Sequence, residues 1–159
     1  HGMTMVTPER KIECRKYLKP YWFDRIEGNL PAQIYCKKQY IDSVYNALKD
    51  IPHQRVWRRN EIPAYLHYDS NKNIGDVVVS PDEGWLVYDQ EVTTGGMHGY
   101  DPEYSDMHAI FRAMGPDFKK TEIPHFRNVD IYDLMCHLLN ITPAKNDGNL
   151  EEIKSILKN

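Results

Sequence analysis

Cysteine is scarce: Cys14, Cys36 and Cys136 are the only three in 159 residues, and none has the close spacing of a zinc ribbon or a thiol redox motif. Those classes are excluded, and one disulfide at most can form. Cys14 and Cys36 could pair, while Cys136 reads as a buried thiol on a helix. No apolar run approaches the roughly 18 residues of a membrane span, and no basic-then-apolar start resembles a signal peptide. A soluble chain with no membrane span is expected, any targeting segment being upstream or absent. Nor is there a surplus of one charge. With 20 basic and 23 acidic residues the net charge is −3, which gives no field of the kind a polynucleotide binder uses. No nucleic-acid polymer is expected as a partner; a small molecule is. Repeats, low-complexity tracts and charge blocks are also missing. The 41% hydrophobic share counts 11 tyrosines, so the strictly apolar share falls slightly below the usual range of about 45–50%. The length suits a single domain, yet the chain opens on His1 rather than Met, and the expectation is that a preceding stretch has been removed or left out.

The segments that are present read as mixed α/β. Residues 1–29 carry Ile12, Tyr17, Leu18, Tyr21, Trp22 and Phe23 without clean periodicity, as loop with a weak strand or helix. Residues 32–36 read as a short strand, and Ile41, Val44, Tyr45 and Leu48 fall on one helix face that ends at Pro52. Arg55–Arg59, Tyr65–Tyr68 and Val77–Val79 read as strands, making residues 30–90 a small α+β subdomain. A loop with three glycines follows over 91–106. Met107, Ile110, Phe111 and Met114 predict a packed helix stopped by Gly115-Pro116. Asn128 is the expected cap of a helix through Tyr132, Met135 and Leu139, and Leu150, Ile153, Ile156 and Leu157 mark a last amphipathic segment. The expected division is thus 1–29, 30–90 and 91–159, together one partial catalytic domain.

His98, among glycines in a loop that can bend tightly, is the most informative single position, because neutral imidazole is the commonest transition-metal ligand. Spacing alone leaves open a loop histidine bonded to backbone. His1 in isolation reads equally as the remainder of an expression tag. Asp101 could orient His98 or its loop, although a carboxylate before Pro102 is also ordinary turn chemistry. His67, alternating in a strand, and His108, beside a helical stripe, read as structural or surface residues. Arg55, Arg58 and Arg59 could reach a phosphate but read as a solvated face. Asn140-Ile141-Thr142 is a formal glycosylation sequon at a helix end.

Taken together, the run from Gly96 to Pro102, containing Met97-His98-Gly99-Tyr100-Asp101, and the run from Met107 to Lys119 resemble the type I phosphodiesterase/nucleotide pyrophosphatase family of the alkaline phosphatase superfamily. The similarity extends through residues 129–136 and 138–144, and His1-Gly2-Met3 looks like the end of that family's Asp-His-Gly-Met motif. The resemblance implies an α/β fold: the C-terminal portion of an alkaline-phosphatase-like core, a mixed sheet flanked by helices, with the small α+β subdomain attached. It implies two zinc ions at the C-terminal strand ends and a Thr or Ser nucleophile between them, giving a covalent phosphoryl enzyme that water releases. His98 matches the histidine of the zinc site on the water or leaving-group side, and His1 that of the other zinc site.

In that family the nucleophile, the Asp before His1, the substrate-side Asp and an Asp-x-x-x-His pair lie upstream of residue 1. The expectation is therefore a C-terminal fragment, inactive alone, of an extracytoplasmic hydrolase of nucleotide phosphodiester or pyrophosphate bonds, partnered by its missing N-terminal part. Alternatives are a phosphomonoesterase or phosphonate hydrolase of the same superfamily, or a binding module that keeps only the C-terminal half and holds no zinc.

Overall fold

Val77-Val78-Val79 is the most strongly β-forming triplet in the chain, and it lies inside the largest sheet with all three side chains buried. In the computed structural model, which describes residues 1–88 and 92–158, the chain forms two compact units, 1–110 and 111–159. The expected junction at 90/91 lies outside the described residues. Strands of the first unit are β1 (Thr4–Val6), β2 (Lys11–Ile12), β3 (Phe23–Glu27), β4 (Ala32–Cys36), β5 (Gln54–Arg58), β6 (Val77–Pro81), β7 (Leu86–Val87) and β8 (Gly95–Met97), with helix α1 (Ile41–Leu48) between β4 and β5. The fold is mixed α/β. An antiparallel sheet runs in the order β3-β4-β6-β5, β2 pairs in parallel with β7, and β1 pairs antiparallel with β8.

Side chains on the sheet alternate between two apolar clusters. Val77 and Val79 pack with Ile34 of β4, Val56 of β5 and the Val44 and Leu48 face of α1. Val78 points the other way, among Ile62, Ile74, Trp57 and Leu66. The period of two in β6 and the i, i+4 spacing in α1 are therefore both used, as the sequence predicts.

Two expected elements are replaced. Residues 65–68 do not form a strand: Ala64–Leu66 is a single 3-10 turn, and His67 closes it in the left-handed region at φ 48°. Pro63 supplies the preset φ for that turn and cannot donate to a ladder, so the alternation of apolar residues is overruled. The helix expected over 107–114 is also absent. Ser105–Met107 makes one 3-10 turn, His108 is already extended, and its carbonyl accepts from the Gly2 N–H at 3.0 Å. Ile110 and Met114 are 79% and 97% exposed, so the stripe is not a packed face; Met107 packs beside Val6, Leu86 and Tyr100. Helix α1 is no longer than this segment, but it buries Val44 and Leu48; a segment that leaves Ile110 and Met114 in solvent has no packed face to offset the cost of nucleation. Of that stripe, Phe111 alone joins the second unit's apolar cluster.

The second unit is built around α2 (Asp130–Leu138), whose Leu134 packs with Ile153, Ile156 and Leu157 in and beside the short 3-10 turns Leu150–Glu152 and Lys154–Ile156. Its start is not capped by the Asn128 side chain. Asp130, fully buried, accepts from the Arg127 backbone N–H and guanidinium and from the Asn149 N–H. A carboxylate near the first turn also complements the helix dipole. All three cysteines are thiols, so the Cys14–Cys36 pairing does not occur; burial, with Asp76 and Asp24 nearby, pushes Cys36 up to about 12. Cys136 is buried on α2, as expected.

Ile34 is fully buried at the centre of β4, between β3 and β6. Ile34→Ala should cost roughly 2–5 kcal/mol, the range for a large-to-small core substitution. Chemical denaturation reads this directly, and a loss under about 1 kcal/mol would mean that the site collapses around the smaller side chain.

Candidate functional site

The three-pair ladder between β1 and β8 joins the two segments that carry His1 and His98. Thr4 faces Met97, Met5 faces Gly96 and Val6 faces Gly95, so residues preceding Thr4 and residues following Met97 leave the ladder at the same end. His1 and His98 meet there, with ring centroids 4.5 Å apart and planes tilted by 54°. Both are exposed. The approach depends on small residues. A Cβ on Gly2 would stand 2.0 Å from the Asp106 carbonyl oxygen, and one on Gly96 would stand 3.0 Å from the Met3 sulfur. Val6 anchors the ladder from below, 2% exposed, in a cluster with Leu86 and Tyr100.

His1 Nδ1 lies 2.8 Å from the Gly2 carbonyl oxygen. With the proton on Nδ1 that contact is a donated hydrogen bond, which leaves Nε2 with its lone pair available. Among the described residues no hydrogen bond engages the His98 ring, and no group of three or more His, Cys, Asp or Glu side chains is close enough to hold a metal ion. The facing imidazoles are thus a two-nitrogen donor set of the type zinc accepts, and short of the four ligands that zinc usually takes.

The loop after His98 is fixed by successive contacts. Tyr100 is 6% exposed and donates its hydroxyl to the Trp85 carbonyl at 3.0 Å; burial is the first cause that pushes its pKa up to about 12. Asp101 is 6% exposed, and its carboxylate accepts from the Tyr65 hydroxyl at 2.6 Å, the Arg55 guanidinium at 2.9 Å and the Glu103 N–H at 3.0 Å. Its bonds therefore run to the sheet, to the Ala64–Leu66 turn and to its own loop.

The arginines are partly exposed, and each is ion-paired. Arg55 pairs with Asp101, Arg58 with Asp42 and Glu61, and Arg59 with Asp76. The Arg55 and Tyr65 connections could not be read from the sequence, because both partners are remote from Asp101 along the chain. A buried carboxylate needs donors, but spacing does not name them. His67 is exposed on its turn and His108 is exposed beside Gly2, in keeping with surface roles.

Burial on its own raises the pKa of Asp101, but the Tyr65 hydroxyl, the Glu103 N–H and the Arg55 guanidinium outweigh it and hold the carboxyl below its ordinary value. A folded pKa below the unfolded one makes the contribution complete above about pH 4 and lost as pH falls through the folded value. Asp101→Asn should lower Tm near neutral pH, with the gap to the parent protein narrowing on acidification below about pH 4. A gap that widens in acid would contradict this assignment.

A sequence model of the type I phosphodiesterase / nucleotide pyrophosphatase family matches residues 1–101. Human ectonucleotide pyrophosphatase/phosphodiesterase family member 5 is 36% identical, covering 99% of this chain and 34% of its own length. The bis(5'-adenosyl)-triphosphatase enpp4 of Xenopus laevis is 33% identical over 100% of this chain and 36% of its own. Among solved structures, human ectonucleotide pyrophosphatase/phosphodiesterase 5 superposes with a TM-score of 0.92 at 34% identity, covering 100% of this chain and 44% of that one. An inactive form of the murine protein, solved in complex with AMP, gives 0.90 over 99% of this chain and 43% of that one. The chain thus spans about a third of the length of these curated relatives. With the family match covering most of its length, the chain belongs to the type I phosphodiesterase/nucleotide pyrophosphatase family.

Proposed function

We propose that residues 1–159 form the C-terminal portion of an alkaline-phosphatase-like catalytic domain that hydrolyses phosphodiester or pyrophosphate bonds of nucleotides, in an extracytoplasmic compartment. The observation that carries this reading is the convergence of His1 and His98, distant in sequence, at a centroid separation of 4.5 Å. The relatives support the substrate class: they are pyrophosphatases and phosphodiesterases by name, and one is solved with AMP. Among the described residues no helix is long and apolar enough to cross a membrane.

In this proposal His1 and His98 each give one imidazole nitrogen to one of two zinc ions. The remaining ligands and the Thr or Ser nucleophile come from residues outside 1–159. Bound zinc would supply Lewis-acid stabilisation of phosphoryl oxygens and of the attacking or leaving oxygen. The work of this chain is to present the two nitrogens at fixed separation. The Gly2 carbonyl favours the tautomer of His1 that carries its proton on Nδ1 by accepting a hydrogen bond from it, and the loop over 99–101 directs His98. Asp101 acts behind His98, through the loop backbone. The organisation proposed for these roles is 1–29 as the end of the core active-site strand and loop with a connection, 30–90 as the small α+β subdomain, and 91–159 as the return to the core with the metal-ligand loop and C-terminal helices.

His98→Ala in the full-length protein tests this. Elemental analysis should find one of two zinc ions lost, and turnover of a p-nitrophenyl nucleotide ester should fall at least 100-fold. A variant that keeps both zinc ions and wild-type turnover removes the ligand role.

A further inference from the structure

The loop that carries His98 has little stiffness of its own. Gly95, Gly96 and Gly99 surround the histidine, and glycine gives up more conformational freedom on ordering than any other residue. Its direction is set from outside, at three consecutive residues. Gly99, at φ 105°, sits against the Leu30 carbonyl, where a Cβ would stand 2.7 Å from the oxygen. Tyr100 makes one neutral hydrogen bond to Trp85. The third tether, Asp101, is ionic and buried. Both the Tyr65 hydroxyl and the Arg55 guanidinium reach its Oδ2 oxygen, while the Glu103 N–H takes Oδ1, which fixes the carboxylate plane from two sides.

We infer that Arg55 and Tyr65 are positioning residues for His98: through the Asp101 carboxylate they hold the loop that aims the imidazole at a metal ion. This rests on the ligand role of His98 proposed above. Arg55 lies on β5, paired opposite Ser80 in the four-stranded sheet, so the tether transfers the sheet's rigidity to a glycine-rich loop. Tyr65 rides on the 3-10 turn that displaced the expected strand. Metal–ligand distances tolerate only about 0.2 Å, so small loop displacements register in affinity before they register in fold. Arg55 also keeps its Nη2 buried without an acceptor among the described residues. That is a cost the residue carries while its other arm serves Asp101.

The test uses the full-length enzyme, with zinc affinity measured by chelator competition at a temperature where circular dichroism shows each variant folded. Tyr65→Phe removes one hydroxyl and should weaken zinc at one site about tenfold. Its kcat should fall at limiting zinc with KM unchanged, and recover at saturating zinc. Arg55→Ala should weaken binding further, and Arg55→Lys should regain part of the loss. Should Arg55→Ala fail to fold, Tyr65→Phe and Arg55→Lys decide the matter. Lowered Tm with unchanged zinc affinity and unchanged kcat at limiting zinc would overturn the inference, since a merely structural role moves only stability. His98→Ala separates the two proposals. If it retains both zinc ions, the ligand role and the positioning role fall together. If it loses one ion while the Tyr65 and Arg55 variants bind zinc normally, the positioning role alone falls.

Discussion

Three residue pairs of antiparallel backbone, Thr4–Val6 against Gly95–Met97, are the constraint on which the candidate site depends. Without that ladder, His1 and His98 have no reason to meet. A ladder this short is marginal on its own, and its hold comes from what flanks it. Val6 is buried beneath it, Gly2 bonds to the His108 carbonyl beyond it, and Tyr100 and Asp101 lock the chain as it leaves. The glycines in β8 weaken the strand as a strand, yet they let Met3 lie over Gly96 and let the backbones close up.

Each compact unit uses a buried carboxylate to hold irregular chain. In the first, Asp101 ties a loop to a β-strand and a 3-10 turn through Arg55 and Tyr65. In the second, Asp130 joins the start of α2 to Arg127 and Asn149. Both carboxylates are satisfied by three donors, the condition under which a buried charge contributes rather than destabilises. Loops would otherwise leave backbone groups and side chains without fixed geometry, and the ligand role proposed for His98 requires a fixed one.

Local pattern served where local physics decides. The helix face at Ile41, Val44, Tyr45 and Leu48, the strand at 32–36 and the valine triplet were all legible because periodicity and branching act within a few residues. It failed where a remote partner wins. The stripe at 107–114 has helical spacing, but its start is taken by a backbone bond from Gly2. The alternation at 65–68 looks like a strand, but Pro63 opens a 3-10 turn instead. His98 stood out among its glycines, whereas His1 was legible only as a match to a family motif; nothing in their spacing indicates a shared site. Asp101 was visible as a residue of interest, while its partners Arg55 and Tyr65 were not, since sequence records a buried acid without recording who neutralises it.

The central claim is the one proposed from the geometry: His1 and His98, brought together at the end of one ladder, each serve one of two neighbouring zinc ions. Anomalous diffraction at the zinc edge, on crystals of the full-length protein grown with zinc, tests it most directly. The account predicts two zinc positions, with an imidazole nitrogen of His1 at about 2.0–2.1 Å from one and an imidazole nitrogen of His98 at the same distance from the other. Zinc bound with neither histidine in its coordination sphere would contradict it.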